Sequence, residues 1–327
     1  MFFGTDDFAR ESLKALHTSM QDGQILSKLA VVTPKPKPKP CPVAQFAESH
    51  CLPLQFWPLT PDYPLESFDL GVVASFGHLI PQNIISTFPL GMLNTHASLL
   101  PRWRGAAPIT HAVLNGDQVT GITLMRIRPH HFDVGEIVLQ ESYAIPSSST
   151  VPQITAALAS IGARLLIQCL QSLEARLAAS VSQPAEGITY APKVDQSLAT
   201  IQWPELDAWQ VYNRWRALGH TWKLRTTFHG LPVKLDQAFL PVEATPPGSS
   251  HYAATFFSPL QISGGREISY PSGHVILHRK LNRLFVRCKS GWLPFAQIYV
   301  ANKPLMNIAQ FGAGYLLQRP PDQHFFS

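Results

Sequence analysis

The strongest constraint on the fold is a strand, a helix and a second strand that follow one another within the first 33 residues. Residues 2–4 are a short apolar run, and residues 8–20 carry apolar side chains at helical spacing behind two possible caps, Asp6 and Asp7. Residues 29–33 have the length and composition of a buried strand. This spacing is typical of a βαβ unit, so we predict an α/β fold with a parallel, doubly wound sheet.

Further runs extend this sheet. Residues 70–76 are continuously apolar, which is typical of a strand covered on both faces. We also predict strands at residues 54–57, 121–127 and 136–143, and helices at residues 43–50, 107–114 and 152–177.

The rest of the chain consists of shorter runs separated by Gly and Pro. Residues 206–218 predict a helix, and β-like runs follow it at residues 223–228, 231–240, 275–278, 284–288 and 293–300. The Ser-, Gly- and Pro-rich residues 241–272 predict an irregular insertion. Short strands with such turns are typical of a small β-barrel.

The charge of the chain is unevenly distributed. Residues 1–203 carry 13 Lys and Arg against 15 Asp and Glu, a net charge of −2, whereas residues 204–327 carry 13 against 6, a net charge of +7. This asymmetry indicates a near-neutral catalytic half and a basic half suited to a polyanion. The alternative is that the positive charge only increases solubility.

Cysteine usage and hydropathy argue against several classes. The four cysteines form no CxxC pair and do not cluster with His, so we expect no disulfide framework, no metal site and a reducing compartment. No uninterrupted apolar run reaches the roughly 18 residues of a membrane span. Four acidic residues within the first thirty are unlike a transit peptide, so we predict no targeting segment. Residues 1–4 look like the end of a first strand, so we expect a trimmed chain or one that lacks its beginning.

The most informative stretch for function is residues 93–108, which begins as a strand, becomes a loop at Ser98 and continues as a helix near Pro108. Asn94 and His96 are two residues apart, so on a strand their side chains point to the same face. A neutral amide and an imidazole held side by side can donate hydrogen bonds to one developing oxyanion. On its own, however, an Asn-x-His pair is more often structural than catalytic.

Two other loops join this stretch in the predicted sheet. Residues 76–80 follow a buried strand, and ligands of open α/β sheets bind beyond such strand ends, so this loop is a candidate ligand wall. Asp133 lies in an apolar setting and is either a turn residue or a carboxylate that orients the imidazole. The neighbouring His130 and His131 point to opposite sides of an extended segment, which argues against a shared metal.

A third loop, residues 34–40, alternates Pro with Lys35, Lys37 and Lys39. Alternating Pro blocks both helix and central strand, so this loop is extended and stiff. It is either a solvated linker or a basic arm that contacts phosphates.

Several motifs together carry a resemblance to a known family: Phe3-Gly4-Thr5 with Asp7-Phe8-Ala9, Asn94-x-His96, Ser98-Leu99-Leu100-Pro101-x-Trp103-x-Gly105-Ala106-Ala107-Pro108, Gly121-x-Thr123, Asp133-x-Gly135 and Thr189-Tyr190-Ala191-x-Lys193. The chain thereby resembles the methionyl-tRNA formyltransferases over nearly its whole length, most strongly over residues 68–144. Other folate formyltransferases share Asn-x-His and the Asp but not usually the full loop. Residues 127–135 look like the animal mitochondrial branch.

The resemblance implies a Rossmann-like formyltransferase domain over residues 1–183, a linker at 184–205, an OB-like β-barrel tRNA-binding domain at 206–318 and a tail at 319–327. The formyl donor would be 10-formyltetrahydrofolate, without a metal, and the acceptor would be the α-amino group of initiator methionyl-tRNA. We expect a monomer in the mitochondrial matrix that does not associate with a membrane.

The resemblance also assigns roles to individual residues. Asn94, His96 and Asp133 would be catalytic. The folate would contact Phe76, Gly77, His78, Leu79, Ile80, Ser98, Leu99, Leu100 and Pro101. The tRNA would contact Lys35, Lys37, Lys39, Arg102, Arg104, Arg214 and Arg216, although Arg102 and Arg104 fit equally well as anchors of their own loop.

Two alternative functions remain open at this point. One is a different folate-dependent formyltransferase or hydrolase that acts on a small substrate, and the basic second half argues against it. The other is an inactive tRNA-binding protein, and the intact Asn94, His96 and Asp133 argue against that.

Overall fold

The computed structural model describes residues 1–23, 25–60, 62–241 and 270–327. The chain divides into two compact units. The first unit contains Met1–Ala112 and Asp117–Lys193, and the second contains Val113–Gly116 and Val194–Ser327. The main division therefore falls inside the predicted linker at residues 184–205, while the finer predicted boundaries remain predictions.

The first unit is built on a seven-stranded sheet with the strand order β3-β2-β1-β4-β5-β6-β7. Its strands are β1 (Phe2–Gly4), β2 (Val31–Pro34), β3 (Leu54–Trp57), β4 (Gly71–Ala74), β5 (Met92–His96), β6 (Val119–Arg126) and β7 (Ile137–Ala144). The first five strands are parallel, but β6 pairs antiparallel with both β5 and β7. The prediction of an α/β fold is confirmed, and that of a wholly parallel sheet is wrong. Only ten residues join β6 to β7, fewer than a parallel crossover requires.

Helices cover this sheet: α1 (Asp7–Gln21), α2 (Pro42–Ser49), α3 (Gln82–Ile85), α4 (Pro108–Leu114), α5 (Val151–Leu170) and α6 (Leu173–Ala178). The Asp6 carboxylate accepts a hydrogen bond from the Ala9 N–H at 3.0 Å and caps α1, as the sequence predicted. The predicted single helix at residues 152–177 is two helices. Ser172 between them leaves the helical conformation, with φ −140° and ψ 40°.

The longest helix, α5, is long and apolar enough by length and composition to cross a membrane, although Gln153, Arg164 and Gln168 interrupt its apolar sequence. Half of its most apolar stretch is buried inside the protein. The helix packs against α1 and β6, which is the environment of a core helix.

The second unit contains α7 (Ala208–Leu218) and an antiparallel sheet of β8 (Leu224–Phe228), β9 (Leu231–Ala238), β10 (Val275–His278), β11 (Arg283–Arg287), β12 (Trp292–Val300) and β13 (Met306–Asn307), followed by α8 (Ile308–Phe311). Its core includes Trp203, Phe228, Phe295 and Phe311, each at most 1% exposed. Most of the predicted insertion at residues 241–272 lies outside the described residues. The prediction of a second domain made of short strands is confirmed, and its described sheet is antiparallel, while the OB-like β-barrel remains a prediction.

Asp236 on β9 links the sheet to α7. Its carboxylate accepts hydrogen bonds from the indole Nε1 of Trp215 at 3.0 Å and from the ammonium of Lys223. Burial raises the pKa of Asp236, but these hydrogen bonds, together with the Gln237 backbone N–H, outweigh burial and hold the pKa below its ordinary value.

The ion pair between Asp236 and Lys223 should make the stability of the second unit sensitive to acid. Because the folded pKa of Asp236 lies below the unfolded value, its stabilisation is complete above the unfolded value and is lost as pH falls below about 4. We expect Asp236→Asn to lower the free energy of unfolding at pH 7 by about 1 to 3 kcal/mol and to reduce the acid sensitivity, measured by urea unfolding from pH 7 to pH 3. The exposed Asp322→Asn is the control, and an equal effect of both substitutions would contradict this role.

Candidate active site

A cleft of about 840 Å³ lies where the parallel strands of the first unit end. Thr5, Ser75 and Ala97 line it directly after β1, β4 and β5, respectively. Ligands of open α/β sheets bind at this position, and the three polar residues predicted to be catalytic also line this cleft.

Asp133 lines the cleft, and each of its carboxylate oxygens accepts a hydrogen bond. Its Oδ1 accepts a hydrogen bond from Nδ2 of Asn94 at 3.2 Å, and its Oδ2 accepts one from the Gly105 backbone N–H at 2.8 Å. The residue is 8% exposed. Both carboxylate oxygens of Asp133 thus have a hydrogen-bond donor. This arrangement suits an ionised carboxylate, which can only accept hydrogen bonds.

His96 lies beside this carboxylate, and its hydrogen bonds determine its tautomer. Its Nε2 is 2.9 Å from the carbonyl oxygen of Trp103, which can only accept, so Nε2 carries the proton. Its Nδ1 lies 3.6 Å from Asp133 Oδ1. Neutral His96 therefore presents a lone pair at Nδ1, so a hydrogen bond from this nitrogen to an oxyanion requires that Nδ1 first be protonated. Nδ1 becomes a donor only after it gains a proton.

The loop that supplies the Trp103 carbonyl and the Gly105 N–H, residues 97–107, is held by a distant segment. The Trp103 N–H donates to Thr189 Oγ1 at 2.9 Å, and the Arg104 carbonyl accepts from the Ala191 N–H at 2.7 Å. Gly105 has φ +125°, and a Cβ there would lie 2.7 Å from the Ala191 carbonyl oxygen. Only glycine fits between these two backbones.

The structure separates the two groups of predicted folate contacts. All of residues 76–80 line the cleft, with Phe76 and Ile80 buried and His78 and Leu79 exposed. The Phe76 ring packs edge-on against Trp57, with 5.4 Å between ring centroids.

The other group, Ser98, Leu99, Leu100 and Pro101, does not line the cleft, and that part of the prediction is not supported. The Ser98 hydroxyl is buried and donates to the Arg102 carbonyl at 2.6 Å. The Leu100 N–H donates to Thr123 Oγ1 at 3.1 Å. The polar groups of Ser98 and Leu100 are occupied by these hydrogen bonds within the protein, and the bonds hold the loop together.

Arg102 and Arg104 both bind side chains of the protein, which favours the role of loop anchors among the two roles left open by the sequence. Arg102 donates to both carboxylate oxygens of Asp117, at 2.8 and 2.7 Å, and lies over the Trp103 ring. These hydrogen bonds raise the pKa of Arg102. Arg104 donates to Gln183 Oε1 from two nitrogens, at 3.1 and 2.6 Å.

The predicted tRNA contacts in the second unit are also partly wrong. Arg216 is 4% exposed and donates to Asn213 Oδ1 at 2.7 Å, and burial lowers its pKa. It therefore cannot reach a phosphate on the surface. Arg214 is partly buried and donates to the Leu198 carbonyl at 3.1 Å. In contrast, Lys35, Lys37 and Lys39 are exposed in the loop between β2 and α2.

Sequence reasoning missed Asp117, Gln183 and Thr189, which hold the loops of the site. Gln183 entered the sequence analysis only as the last residue of the predicted first domain and Thr189 only as part of a motif of the resemblance, and Asp117 carried no signal of this role. Within the described part of the chain, no three His, Cys, Asp or Glu side chains are grouped as metal ligands.

Comparison with known proteins identifies two family matches. The family model described as formyl transferase matches residues 59–170, and the one described as formyl transferase, C-terminal domain, matches residues 193–316. The human protein named methionyl-tRNA formyltransferase, mitochondrial, is 40% identical over 97% of this chain and 77% of its own length. The methionyl-tRNA formyltransferase of Methylococcus capsulatus is 36% identical over 76% of this chain and 83% of its own length.

A solved structure is similar to the whole fold. It is that of WlaRD, described as a sugar 3N-formyl transferase in the presence of dTDP and 5-N-formyl-THF. Its TM-score is 0.62 with 16% sequence identity, and the match covers 93% of this chain and 97% of that chain. At this identity the likeness shows a shared fold.

The close approach of Gly105 to the Ala191 backbone predicts that Gly105 tolerates a side chain less well than a second glycine with a positive φ. Gly187 has φ +77°, and no atom lies within 4 Å of the place that a Cβ would take, so Gly187→Ala introduces only backbone strain. Gly105→Ala adds a backbone collision to that strain, and we expect it to cost about 1 to 3 kcal/mol more in the free energy of unfolding. Urea unfolding of both variants measures the difference, and equal losses would show that the two backbones separate easily.

Proposed function

We propose catalytic roles for Asn94, His96 and Asp133 in a chain that belongs to the methionyl-tRNA formyltransferase family. The chain transfers the formyl group of 10-formyltetrahydrofolate to the α-amino group of methionyl-tRNA and so provides formylmethionyl-tRNA for translation initiation. The observation that carries the residue assignment is the buried Asp133 carboxylate, which lies 3.2 Å from the Asn94 amide and 3.6 Å from His96 Nδ1 in one cleft.

The reaction requires a proton acceptor and a stabiliser of negative charge. The amine nitrogen forms a bond to the formyl carbon, the bond from that carbon to N10 of the folate breaks, the amine loses a proton and N10 gains one. We assign the amine proton to His96 Nδ1, because that nitrogen holds the free lone pair. The second hydrogen of Asn94 Nδ2 is a donor for the oxygen that becomes negative.

Asp133 stabilises the charge that His96 gains. Once Nδ1 is protonated, the imidazolium lies beside the carboxylate in a site where both side chains are less than 10% exposed. Charges interact more strongly there than in water. The protonated Nδ1 then also becomes a donor for the oxyanion, so one residue serves first as base and later as stabiliser.

The folate is assigned to the wall formed by residues 76–80. A cleft of about 840 Å³ that is lined by both apolar and polar side chains has the size and composition of a small-ligand site. Phe76 and Ile80 provide apolar surface for an aromatic ring system, and Gly77, with φ +74°, leaves its backbone open to the cleft. The folate supplies the formyl group when bound, and this wall orients it toward Asn94 and His96.

The tRNA is assigned to the loop of Lys35, Lys37 and Lys39. Three exposed ammonium groups on a stiff, Pro-interrupted segment suit the phosphates of an acceptor stem. Arg102, Arg104 and Arg216 are left out of this assignment, because their guanidinium groups already bind side chains of the protein.

We also propose the mitochondrial matrix as the compartment and a monomer as the working form. The mammalian relatives are named as mitochondrial proteins. All four cysteines of this chain are free, which suits a reducing environment.

The catalytic assignment predicts a large loss of activity in single variants. Asn94→Ala removes an oxyanion donor and should lower kcat by about 10² to 10³-fold, and we expect His96→Ala to have an effect of similar size. The measurement is formyl transfer from 10-formyltetrahydrofolate to charged initiator tRNA, with the exposed His50→Ala as control. Near-normal transfer by His96→Ala would refute its role, and transfer only to small amines would refute the tRNA as acceptor.

The lysine loop predicts a specific dependence on salt. Replacing Lys35, Lys37 and Lys39 together by Gln should raise KM for tRNA and flatten its dependence on salt concentration, since each lost phosphate contact removes close to one unit of logarithmic slope. The control is Lys14→Gln on α1, where the ammonium already pairs with Glu11. If the KM for tRNA keeps the wild-type salt dependence in the triple variant, the loop is a solvated linker.

A further inference from the structure

We propose that Gln183 is a positioning residue for formyl transfer, whose side-chain amide holds the loop of Asp133 against the loop of Arg104. This inference rests on the catalytic role proposed for Asp133. Gln183 lies after α6, fifty residues from Asp133 in sequence, and does not line the cleft.

Every hydrogen-bonding group of the Gln183 amide is used. Nε2 donates to the carbonyl oxygens of Asp133 at 2.9 Å and Gly135 at 2.8 Å. Oε1 accepts from Nε and Nη2 of Arg104 at 3.1 and 2.6 Å. Rotating the amide by 180° would bring donor against donor and acceptor against acceptor, so its orientation is determined by its neighbours.

These contacts complete a ring of bonds around the catalytic carboxylate. Gln183 binds Arg104, the next residue Gly105 donates its N–H to Asp133 Oδ2 at 2.8 Å, and the Asp133 carbonyl returns to Gln183. The ring sets the distance between the two loops. It therefore also sets where the carboxylate lies relative to His96.

The backbone of Asp133 needs such support. Its φ is +57°, in the left-handed region that residues other than glycine seldom adopt. A conformation of this kind persists only when surrounding contacts hold it, and here the contact at its own carbonyl comes from Gln183. Without those two N–H donors, we expect the loop to relax and the carboxylate to move away from His96.

The surroundings of Gln183 argue that its contacts serve the site more than the core. Residues 184–188 directly after it are largely exposed, and Gln183 itself is only partly buried. Its four hydrogen bonds all go to two loops, one that carries Asp133 and one whose Trp103 carbonyl and Gly105 N–H contact His96 and Asp133. A small displacement of a catalytic group can cost about 10²-fold in rate, even when the fold is intact.

The test uses Gln183→Glu in the chain of residues 1–327. Glutamate keeps the acceptors for Arg104 but replaces the two N–H donors by an oxygen that repels the carbonyls of Asp133 and Gly135. We expect kcat to fall about 10 to 10²-fold, with KM for folate and for tRNA within about twofold of wild type. The matched control is Gln168→Glu on the exposed face of α5, which should leave all three constants unchanged.

The pH profile gives a readout that a purely structural role would not produce. When the introduced carboxyl group of Gln183→Glu is protonated, it recovers one O–H donor, so the activity of this variant relative to wild type should rise as pH is lowered. A ratio that falls from about pH 8 to about pH 5.5 would overturn the proposal, because any proton that the introduced carboxyl group gains can only return a donor to the carbonyls of Asp133 and Gly135. If Gln183→Glu does not fold, Gln183→Met, which has similar length and no hydrogen-bonding amide, replaces it in the kinetic comparison and in the cycle described next.

A double-mutant cycle separates this inference from the proposed function. If Gln183 acts through Asp133, Gln183→Glu should have almost no further effect on kcat in an Asp133→Asn background. The same loss in both backgrounds, or normal kcat of Gln183→Glu beside an impaired Asp133→Asn, would overturn the role of Gln183 alone. Near-normal kcat of Asp133→Asn would instead overturn the catalytic role of Asp133 and the inference with it.

Discussion

The site depends on one arrangement, the Asp133 carboxylate held by an amide from β5 and a backbone N–H from the loop at residues 97–107. The strand and the loop are consecutive in sequence, whereas Asp133 lies 39 residues after Asn94, and these two parts of the chain meet at this carboxylate. Because both oxygens already have donors, the negative charge is stabilised before any substrate binds. In the catalytic role that we propose for His96, this residue gains a proton next to a carboxylate that does not have to move.

Much of this could be predicted from the sequence. Side chains two residues apart on a strand share a face, so Asn94 and His96 had to point the same way once β5 was recognised. Loops at one end of a sheet are neighbours, which explains why the loop at residues 76–80 was also predicted correctly to border a cleft. The tautomer of His96 could not be predicted, because it depends on the Trp103 carbonyl, whose position is set by contacts with Thr189 and Ala191.

The errors have equally physical causes. A loop motif contains residues that shape the backbone as well as residues that contact ligands, and Ser98 and Leu100 belong to the former. The net charge of a segment does not show which of its basic side chains are exposed and which are buried. Arg216 follows the buried Tyr212 by four residues on α7, so helical spacing places both on the same inward face, and this could have been recognised from the sequence. The antiparallel β6 was missed because hydropathy reports burial and not strand direction.

The conformations around the cleft explain why the motif of residues 93–108 is not sufficient to form the site. Trp103, Gly105 and Asp133 all have positive φ, at +62°, +125° and +57°, and two of them are not glycine. Such backbones are held by their surroundings, which here are residues 183–191: Gln183 at Asp133, Thr189 at Trp103 and Ala191 at Arg104. A chain with the same motif and a different segment here would keep Asn94 and His96 on one face of β5 but lose the Trp103 carbonyl that orients His96 and the Gly105 N–H that binds Asp133. The chemistry of the motif therefore depends on contacts with residues almost ninety positions further along the chain. In sequence, these residues directly precede Val194, where the main part of the second unit begins.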